Sequence, residues 1–263
     1  MSRLHLGWLA VAATLGAPVP ALAQQAEGAA ATVGNGWVVT VAPYLWATSM
    51  DGHAAVAGTK ADVDVPFSDI LKDLSFGAMM LVDVEKDRLG IGVNGLYARG
   101  SPDSDVGGIK IDATSDTVQL GVAPYYRLVE WTYRTSSSGR PLRLVVSPEA
   151  GFRFTYLRTE LEVRGGPSVD GSESWVEPLV GSRIRLDLAD RWVLAGEGNV
   201  GGFGVGSDLA WNVQAFLGYR TTLLGRETTL ALGYRALSQD YDHNDFEWDV
   251  TMHGPIIGAA VRF

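Results

Sequence analysis

The stretch from Val176 to Leu188, V-E-P-L-V-G-S-R-I-R-L-D-L, carries the pattern that decides the fold. Its even-numbered positions are mostly apolar, whereas the odd-numbered positions include Glu177, Arg183, Arg185 and Asp187. Alternation with a period of two is typical of a β-strand whose two faces meet different surroundings. A soluble sandwich packs its apolar face against a second sheet, but a membrane barrel turns that face to lipid and gathers charges inside. The four charges on one face favour the barrel.

The same alternation recurs along the chain on both sides of this strand. The sequence predicts strands over Trp37–Ala47, Ser75–Lys86, Leu89–Arg99, Ser115–Leu128, Leu142–Arg158, Ser174–Leu188, Trp192–Phe203, Leu209–Thr222, Glu227–Gln239 and Glu247–Phe263. An even number of strands is typical of bacterial outer-membrane barrels. We therefore expect an all-β protein, a transmembrane antiparallel up-and-down β-barrel of about ten strands.

The connections between these strands differ in length, and this difference orients the barrel. Tight turns are predicted at Asp87-Arg88, Ala189–Arg191 and Leu223–Arg226, and long connections at Thr48–Leu74 and Gly100–Thr114. Short turns face the periplasm and long loops face the exterior in such barrels, so a Ser-rich linker at Val129–Pro141 is the exception. Local bulges are expected where proline removes a ladder donor, at Pro43, Pro124, Pro148 and Pro178.

The N-terminus has the order of a secretory signal. Arg3 precedes an apolar run from Leu6 to Leu15, and Ala21-Leu22-Ala23 supplies the small residues of a cleavage site. The apolar run is shorter than the ~20 residues of a membrane-spanning helix, which disfavours an N-terminal anchor. We expect a signal peptide at 1–23, a flexible periplasmic segment at 24–36 and an outer-membrane barrel at 37–263.

Composition excludes several classes of function. The chain has no cysteine, so neither a disulfide scaffold nor a Cys-ligated zinc site is available. Its net charge is −9, and loss of Arg3 with the signal would make it −9 − 1 = −10. So acidic a chain is a poor binder of a phosphate backbone, which excludes nucleic acid as a partner. No cofactor is expected.

The chain ends on an alternating apolar strand whose last residue is Phe263. A terminal aromatic residue on such a strand resembles the signal that outer-membrane proteins present to the barrel assembly machinery, and Phe263 is the expected assembly signal. The segments 42–47 (APYLWA), 63–71 (VDVPFSDIL), 75–79 (SFGAM) and 254–263 resemble those of a group of uncharacterised proteobacterial outer-membrane proteins. The resemblance implies a small porin-like barrel in the bacterial outer membrane and no established activity.

The first long connection contains a short amphipathic segment. Phe67, Ile70, Leu71 and Leu74 share one helical face, and Ser68 is a candidate N-cap. This pattern predicts a short helix in the first extracellular loop. The residues leave open whether the helix constricts the barrel mouth or packs as a simple loop element.

Strand parity predicts a network of charges inside the lumen. If Leu188 and Trp192 close the hairpin at residues 189–191, Arg183 lies directly opposite Glu197. Both side chains are expected to point inward, because an arginine facing lipid at the midplane would cost about 2 to 4 kcal/mol. The predicted lumen network consists of Asp83, Glu85, Glu149, Arg153, Glu177, Arg183, Arg185, Glu197, Arg220 and Arg235.

The tight turn at residues 87–88 adds a prediction about space in the lumen. It places Asp83 opposite Gly92 and Glu85 opposite Gly90. Glycine has no side chain, so these positions should leave room for arginines from other strands.

Aromatic residues cluster near the predicted periplasmic strand ends. They are Trp37, Tyr125, Tyr126, Trp131, Trp192 and Tyr219. This clustering predicts an interfacial girdle, with ordinary sheet propensity as the alternative explanation.

Two groups of residues raise the question of catalysis. The segment Asp240–Asp245, D-Y-D-H-N-D, resembles the Asp-His pairs of omptin-type outer-membrane proteases, but a solvated acidic loop explains the same residues. His253 is the only histidine predicted on the lipid face, and no nucleophile motif accompanies it. We expect no catalytic residue and no enzyme.

The outer connections are rich in acids. They include Asp51, Asp62, Asp64, Asp69, Asp73, Asp103, Asp105, Asp112, Asp170, Asp240, Asp242 and Asp245. Solubility explains them, and the alternative is that calcium or magnesium bridges them to the phosphates of lipopolysaccharide. No dedicated metal site is predicted, because the spacing of a calcium loop is missing from the sequence.

Three functions stay open at this point. A narrow channel for small solutes requires a continuous water path, whereas salt bridges across the lumen favour a closed structural or surface-interaction barrel. A membrane-embedded hydrolase requires converging Asp and His side chains. About ten strands enclose little more than their own side chains, which excludes a wide porin.

Overall fold

The computed structural model of the chain describes residues 36–56, 59–101, 103–106, 109–163, 168–244 and 246–263. The predicted signal peptide at 1–23, and the predicted lead-in at 24–36 apart from its last residue, lie outside the described residues and stay predictions. The description begins at Gly36, one residue before the predicted barrel.

Alternating apolar and polar positions produce a sheet of fourteen strands within these described residues. The strands are β1 (Trp37–Trp46), β2 (Ser49–Val56), β3 (Thr59–Val65), β4 (Leu74–Lys86), β5 (Leu89–Gly100), β6 (Asp103–Val106), β7 (Ile109–Tyr126), β8 (Val129–Thr135), β9 (Pro141–Val163), β10 (Ser168–Asp187), β11 (Trp192–Val205), β12 (Ser207–Leu223), β13 (Arg226–His243) and β14 (Phe246–Arg262). A short helix, α1 (Phe67–Asp73), joins β3 to β4.

Ten of the described strands close into an antiparallel barrel. Their order around the wall is β1, β4, β5, β7, β9, β10, β11, β12, β13 and β14, and β14 pairs with β1. Closure gives each of these strands two neighbours, which satisfies backbone donors and acceptors where the outer surface is apolar. The predicted fold class is confirmed.

Closure depends on a long last strand that pairs with two elements in succession. The C-terminal half of β14 pairs with β1, and its N-terminal half pairs with β2. The first strand is interrupted between them at Ala47 and Thr48, and Gly254 lies against this interruption. A Cβ atom on Gly254 would overlap the carbonyl oxygen of Ala47, so glycine is what permits the two backbones to approach.

The prediction that the long connections are loops is wrong. β2 and β3 form a hairpin that continues the sheet beyond the barrel wall, and we call this hairpin with the upper ends of β13 and β14 the sheet extension. β6 pairs with the start of β7, and β8 pairs with the start of β9, so residues 100–114 and 129–141 also contain strands. These strands are short, and they are stabilised by pairing with long neighbouring strands. The residue pattern of one short segment does not reveal such a pairing.

The expectation of bulges at strand prolines is also wrong. Pro124 pairs with Ile91, Pro148 with Ser182 and Pro178 with Phe152, each without a shift of register. On the other side of the strand each of these prolines is unpaired, and the ladder skips it or ends beside it. Among the described strands, the register shifts between Leu74 and Phe76, between Thr132 and Arg134, and between Gly202 and Val205. A proline loses one ladder bond, but its fixed φ lies in the extended region, so the strand continues without an extra residue.

The two faces of the wall follow the predicted alternation. Outward-facing residues of β10 to β13 form an exposed apolar band that includes Val180, Ile184, Leu217 and Leu232. Further along β13, beyond Leu232, the outward positions become polar from Ser238 onward. The apolar band is therefore bounded, as the lipid-facing surface of a membrane barrel must be.

The predicted aromatic girdle holds for some of its members. Trp192 and Tyr219 pack edge to face near a tight turn, with ring centroids 5.1 Å apart. The assignment of Tyr125 to the girdle is wrong, because its ring lies in the lumen against Gly90 and 4.5 Å from the guanidinium carbon of Arg183. Odd-numbered residues of β7 face inward, so parity separates Tyr125 from Tyr126.

We predict that Gly254→Ala lowers the free energy of unfolding by about 1–3 kcal/mol, the usual cost of overpacking, because the new methyl group pushes β14 away from the Ala47 carbonyl. Gly198→Ala is the matched control, since a Cβ atom there meets nothing within 4 Å. Urea unfolding of the refolded protein in micelles measures both changes. Equal stability of the two variants would contradict the proposed closure.

Candidate functional site

Inward-facing side chains divide the lumen into successive levels along the barrel axis. One end, the turn end, bears the tight turns at residues 87–88, 189–191 and 224–225, and it is the end expected to face the periplasm. From the turn end upward, the lumen contains a hollow vestibule, then a charge layer, and then an apolar plug in which a pair of glutamines is embedded.

The charge layer is centred on Arg183 of β10. Its Nε donates to Oε2 of Glu149 and its Nη1 donates to Oδ1 of Asp83, both at 2.6 Å. Oε2 of Glu197 lies 3.5 Å from the same Nε. One guanidinium therefore serves carboxylates from three other strands, β4, β9 and β11, through charge-assisted contacts.

Strand register accounts for this convergence. Arg183 is directly opposite Glu197, and Asp83 is directly opposite Gly92, so both predicted pairings are confirmed. A Cβ atom on Gly92 would overlap Nη2 of Arg183, so the missing side chain leaves the predicted room. Glu197 is nevertheless the most distant of the three acids and not the main partner.

A second arginine extends the layer. Arg153 donates from Nη1 to Oε1 of Glu177 at 2.7 Å and from Nη2 to Oδ1 of Asn199 at 2.9 Å. Nδ2 of Asn199 donates to Oε1 of Glu197 at 3.1 Å, which links the Arg153 pair to the Arg183 group. Glu177 is fully buried, and its second oxygen accepts from Ser207.

A third arginine connects the layer to the plug above it. Arg235 donates from Nε to Oδ1 of Asn212 at 2.8 Å, and its guanidinium carbon lies 4.5 Å from the ring centroid of Trp46. We define the charge layer as Asp83, Glu149, Arg153, Glu177, Arg183, Glu197, Asn199, Asn212 and Arg235. Seven of these are residues of the predicted network.

The other three predicted network residues, Glu85, Arg185 and Arg220, lie lower. Arg220 pairs with Asp187, and Nε of Arg185 lies 3.6 Å from the same carboxylate. Glu85 lines the vestibule, a cavity of about 590 Å³ between the charge layer and the turn end. The structure thus brings seven of the predicted residues together and leaves three around a hollow space.

Above the charge layer, two glutamines bridge the lumen. Nε2 of Gln119 donates to Oε1 of Gln239 at 2.9 Å, and Nε2 of Gln239 donates to Oγ1 of Thr155 at 3.1 Å. These bonds join β7, β13 and β9 across the barrel. Gln239 is fully buried, so its amide is satisfied by protein groups and not by bulk water.

The apolar plug fills the end of the lumen away from the turns. It consists of Trp46, Met50, Val63, Val65, Ile70, Leu74, Met79, Leu96, Ala98, Leu157, Trp175, Leu237, Tyr241, Trp248, Val250, Met252 and Ile256. The rings of Trp175 and Tyr241 stack with centroids 4.2 Å apart. Residues of the barrel strands and residues of the β2–β3 hairpin thus form one buried cluster.

Helix α1 contributes to the plug through part of its predicted face. Ile70 and Leu74 are buried in the plug, whereas 44% of Leu71 is exposed. Phe67 lies between these extremes, and its backbone N–H donates to Oγ of Ser49. A helix of seven residues presents only about one side chain per turn to a neighbour, which explains the split.

The predicted N-cap at Ser68 is wrong. Pro66 occupies the N-cap position, and no side chain caps the helix. Ser68 instead lies in the first turn and donates to Oδ1 of Asp69 at 3.4 Å.

Reasoning from charged residues missed the uncharged polar groups of the lumen. Asn199 and Asn212 connect the arginines, and Gln119 and Gln239 bridge the layer above. All four occupy inward positions of strands whose outward face is apolar. A polar amide at an inward position is the signal that could have found them.

The two candidate catalytic groups have different surroundings. Residues 240–243 of the predicted loop segment belong to β13 and not to an outer loop. Asp245, the last residue of that segment, lies outside the described residues. His253 is hydrogen-bonded at both ring nitrogens: Nδ1 and Tyr234 Oη lie 2.7 Å apart, and Nε2 and Asp51 Oδ2 lie 2.7 Å apart. The hydroxyl beside the ring is therefore the phenol of Tyr234, and among the described residues no serine hydroxyl is hydrogen-bonded to His253, as a serine-nucleophile site would require.

Acids of the sheet extension face each other directly. Asp240 is opposite Asp249, and Asp242 is opposite Glu247, on β13 and β14. Burial, together with these carboxylates, raises the pKa of Asp240 above its ordinary value. Among the described residues, no group of three or more His, Asp or Glu is arranged to hold a metal ion.

Comparisons with known proteins concern the barrel as a whole. No family model and no curated protein matches the chain, so the resemblance to an uncharacterised family stays a prediction. The chain is similar to the attachment invasion locus protein Ail of Yersinia pestis, solved with the heparin analogue sucrose octasulfate, at 12% identity, TM-score 0.39 and coverage of 87% of this chain and 99% of that chain.

Two further solved structures are similar at the same level. Neisserial surface protein A has 11% identity, a TM-score of 0.34 and coverage of 87% of this chain and 97% of that chain. A Pseudomonas aeruginosa FadL homologue has 9% identity, a TM-score of 0.25 and coverage of 86% and 90%. Similarity at this level supports no transfer of function to this chain.

We predict that Arg183→Met lowers the free energy of unfolding by about 3–5 kcal/mol, because it leaves three inward carboxylates without their shared partner. Glu197→Gln should cost less, since Arg183 keeps its two closer acids. Urea unfolding in micelles measures both. Arg158→Gln, an exposed arginine beside Glu160 and Asp170, is the control and should cost about 0–1 kcal/mol.

Stability of the sheet extension should depend on pH through Asp240. Its pKa is raised in the folded state, so protonated Asp240 stabilises the fold at low pH and this contribution is lost as pH rises through the folded pKa. Asp240→Asn should therefore raise the free energy of unfolding at pH 8 by about 0.2–1 kcal/mol and change little near pH 3.5. Asp170→Asn, which removes an attractive contact with Arg158, should give no gain. A gain for Asp170→Asn, or none for Asp240→Asn, would oppose this assignment.

Proposed function

We propose that the protein is a bacterial outer-membrane barrel whose lumen is closed to solutes and which serves as a structural or surface-interaction element. The observation that carries the proposal is the stacking of two independent barriers, the apolar plug and the charge layer, along the same lumen. The closed barrel with its bounded apolar outer band supports location in the outer membrane. Export with cleavage near Ala23 is part of the same proposal.

The apolar plug supports closure because its side chains offer no ligand to a hydrated cation. Trp46 and Ile70 are fully buried, and the ring of Trp175 stacks on that of Tyr241 in the same cluster. Hydrophobic constrictions of this kind stop conduction by excluding water. A solute would have to displace large side chains from several strands at once.

The charge layer supports closure for a different reason. Arg153 and Glu177 are almost fully buried and hydrogen-bonded to each other, and Arg183 is bound to three carboxylates. Separating one buried partner from such a pair costs about 3–5 kcal/mol. Arg153 and Arg183, which would both have to move for a solute to pass, are held in this way.

A gated narrow channel is the second candidate. Two observations favour it: the hollow vestibule, and a second space of about 40 Å³ beside Arg183 and Arg235 that can hold a few water molecules. Movement of α1 would be the natural gating step, because Ile70 belongs to the plug. The hydrolase alternative is not adopted, since among the described residues His253 is hydrogen-bonded to Tyr234 and Asp51 and to no serine hydroxyl.

Two partners complete the proposal. Phe263 would present the assembly signal to the barrel assembly machinery, supported by its place at the turn end of β14, where its backbone bonds with Val39 and its ring lies under Arg226. The acids of the sheet extension would contact lipopolysaccharide phosphates through divalent cations, supported by their outward position beyond the apolar band.

We predict that the refolded protein in planar bilayers gives no single-channel steps above the lipid baseline. Replacing residues 67–73 with a Gly-Ser linker should leave this unchanged while the charge layer is intact. The double variant Arg153→Ala, Arg183→Ala should also give no steps, because the side chains that the strands contribute to the plug remain in place. Steps from the linker variant alone would overturn the closed-lumen proposal in favour of the gated channel.

A further inference from the structure

The vestibule is a cavity that the side chains of the charge layer and of the plug leave unfilled. Its volume of about 590 Å³ lies within the range of about 300–1,000 Å³ that is typical of small-molecule sites. It lies at the turn end, and the charge layer forms its inner end. A molecule entering from the turn end would therefore be held in the cavity and not passed through the barrel.

The wall of the vestibule has an excess of arginine. Below the charge layer it contains Arg127, Arg140, Arg143, Arg185, Arg220 and Arg262. The acids at the same level are Glu85, Asp187 and Glu227, together with Glu130, which lies 3.2 Å from Arg127, and this leaves an excess of 6 − 4 = 2 positive charges. The whole chain carries a net charge of −9, so the vestibule has the opposite sign to the protein. Enclosure between low-dielectric walls strengthens such a field.

The acids of the vestibule are shared among the arginines. Asp187 pairs with Arg220 and lies 3.6 Å from Arg185. Glu227 lies 3.7 Å from Arg140 and 3.6 Å from Arg262. Each guanidinium has five N–H donors, so a carboxylate shared between two arginines leaves donor capacity for another anion.

Small and apolar residues form much of the remaining wall. On β11 to β14 these are Ala195, Phe216, Gly218, Ala231, Gly258 and Ala260. Their small size creates the hollow, since longer side chains at these inward positions would fill it as they do in the plug. The wall therefore combines donors for an anionic head with a surface for an apolar body.

We propose that the vestibule binds an amphiphilic organic anion that enters from the periplasm. Its carboxylate or phosphate group is bound by the arginines near Arg143 and Arg185, because planar guanidinium groups match both anions. Its apolar body packs against the small-residue wall beside Phe216. This site goes beyond the closed-lumen function, since binding at the turn end requires no passage through the charge layer.

The absence of cysteine from the chain permits a direct protection experiment. Ala231→Cys places a single thiol in the vestibule wall, with Thr229→Cys as a second reporter at the same level. The rate of modification by neutral methyl methanethiosulfonate is measured in nanodiscs with added 2-naphthyl phosphate, 2-naphthoate, 2-naphthalenemethanol or naphthylmethylammonium. We expect the anions to slow modification at least tenfold at saturation, and the neutral and cationic analogues to have little effect.

Variants then test whether the arginines bind the head group. The double variant Arg143→Gln, Arg185→Gln should raise the anion concentration needed for half protection about tenfold or more, which corresponds to about 1.4 kcal/mol. Arg158→Gln is the matched control, because its side chain is 46% exposed, close to the 50% of Arg185, and it lies at the other end of the barrel. Circular dichroism confirms that each variant is folded.

The outcomes separate the two possible head groups. Protection by both anions supports a general anion site, and protection by the phosphate alone assigns a phosphate head. Protection by 2-naphthoate alone assigns a carboxylate. Equal protection by the neutral analogue, no protection by either anion, or an unchanged half-protection concentration in the double variant would each overturn the proposal.

Discussion

The pairing of inward-facing arginines with carboxylates is the constraint on which the rest of the structure depends. A barrel with an apolar outer surface must direct its charges into the lumen, and a lumen enclosed by ten strands has little water to solvate them. Arg183 meets this constraint by serving Asp83, Glu149 and Glu197 at once. Every strand that supplies a partner is thereby held in one register.

The distribution of small residues decides where the lumen is filled and where it is hollow. Gly92 lacks a side chain beside Arg183, and the guanidinium occupies the space that results. Lower in the barrel, Gly218, Ala231 and Gly258 carry at most a methyl group, and the vestibule lies beside them. The same residue type thus supports dense packing at one level and a cavity at another, depending on what lies opposite.

The layered lumen relates structure to function through the order of its barriers. The plug separates the vestibule from the sheet extension, so the two ends of the barrel are chemically independent. One end bears opposed carboxylates such as Asp240 and Asp249, and the other bears an excess of arginine. A barrel built in this way suits contacts at each surface better than passage between them.

The sequence by itself determined the ten strands of the wall, the closed barrel and the pairing of Arg183 with Glu197, because a period of two and a tight turn together specify face and register. Only the tertiary structure decided that Glu149 is nearer to Arg183, that Arg185 and Arg220 lie outside the charge layer, and that Ile70 enters the plug while Leu71 does not. The physical reason is that strand tilt and closure bring together residues from strands distant in sequence. Local alternation gives the face of a residue but not its height in the lumen.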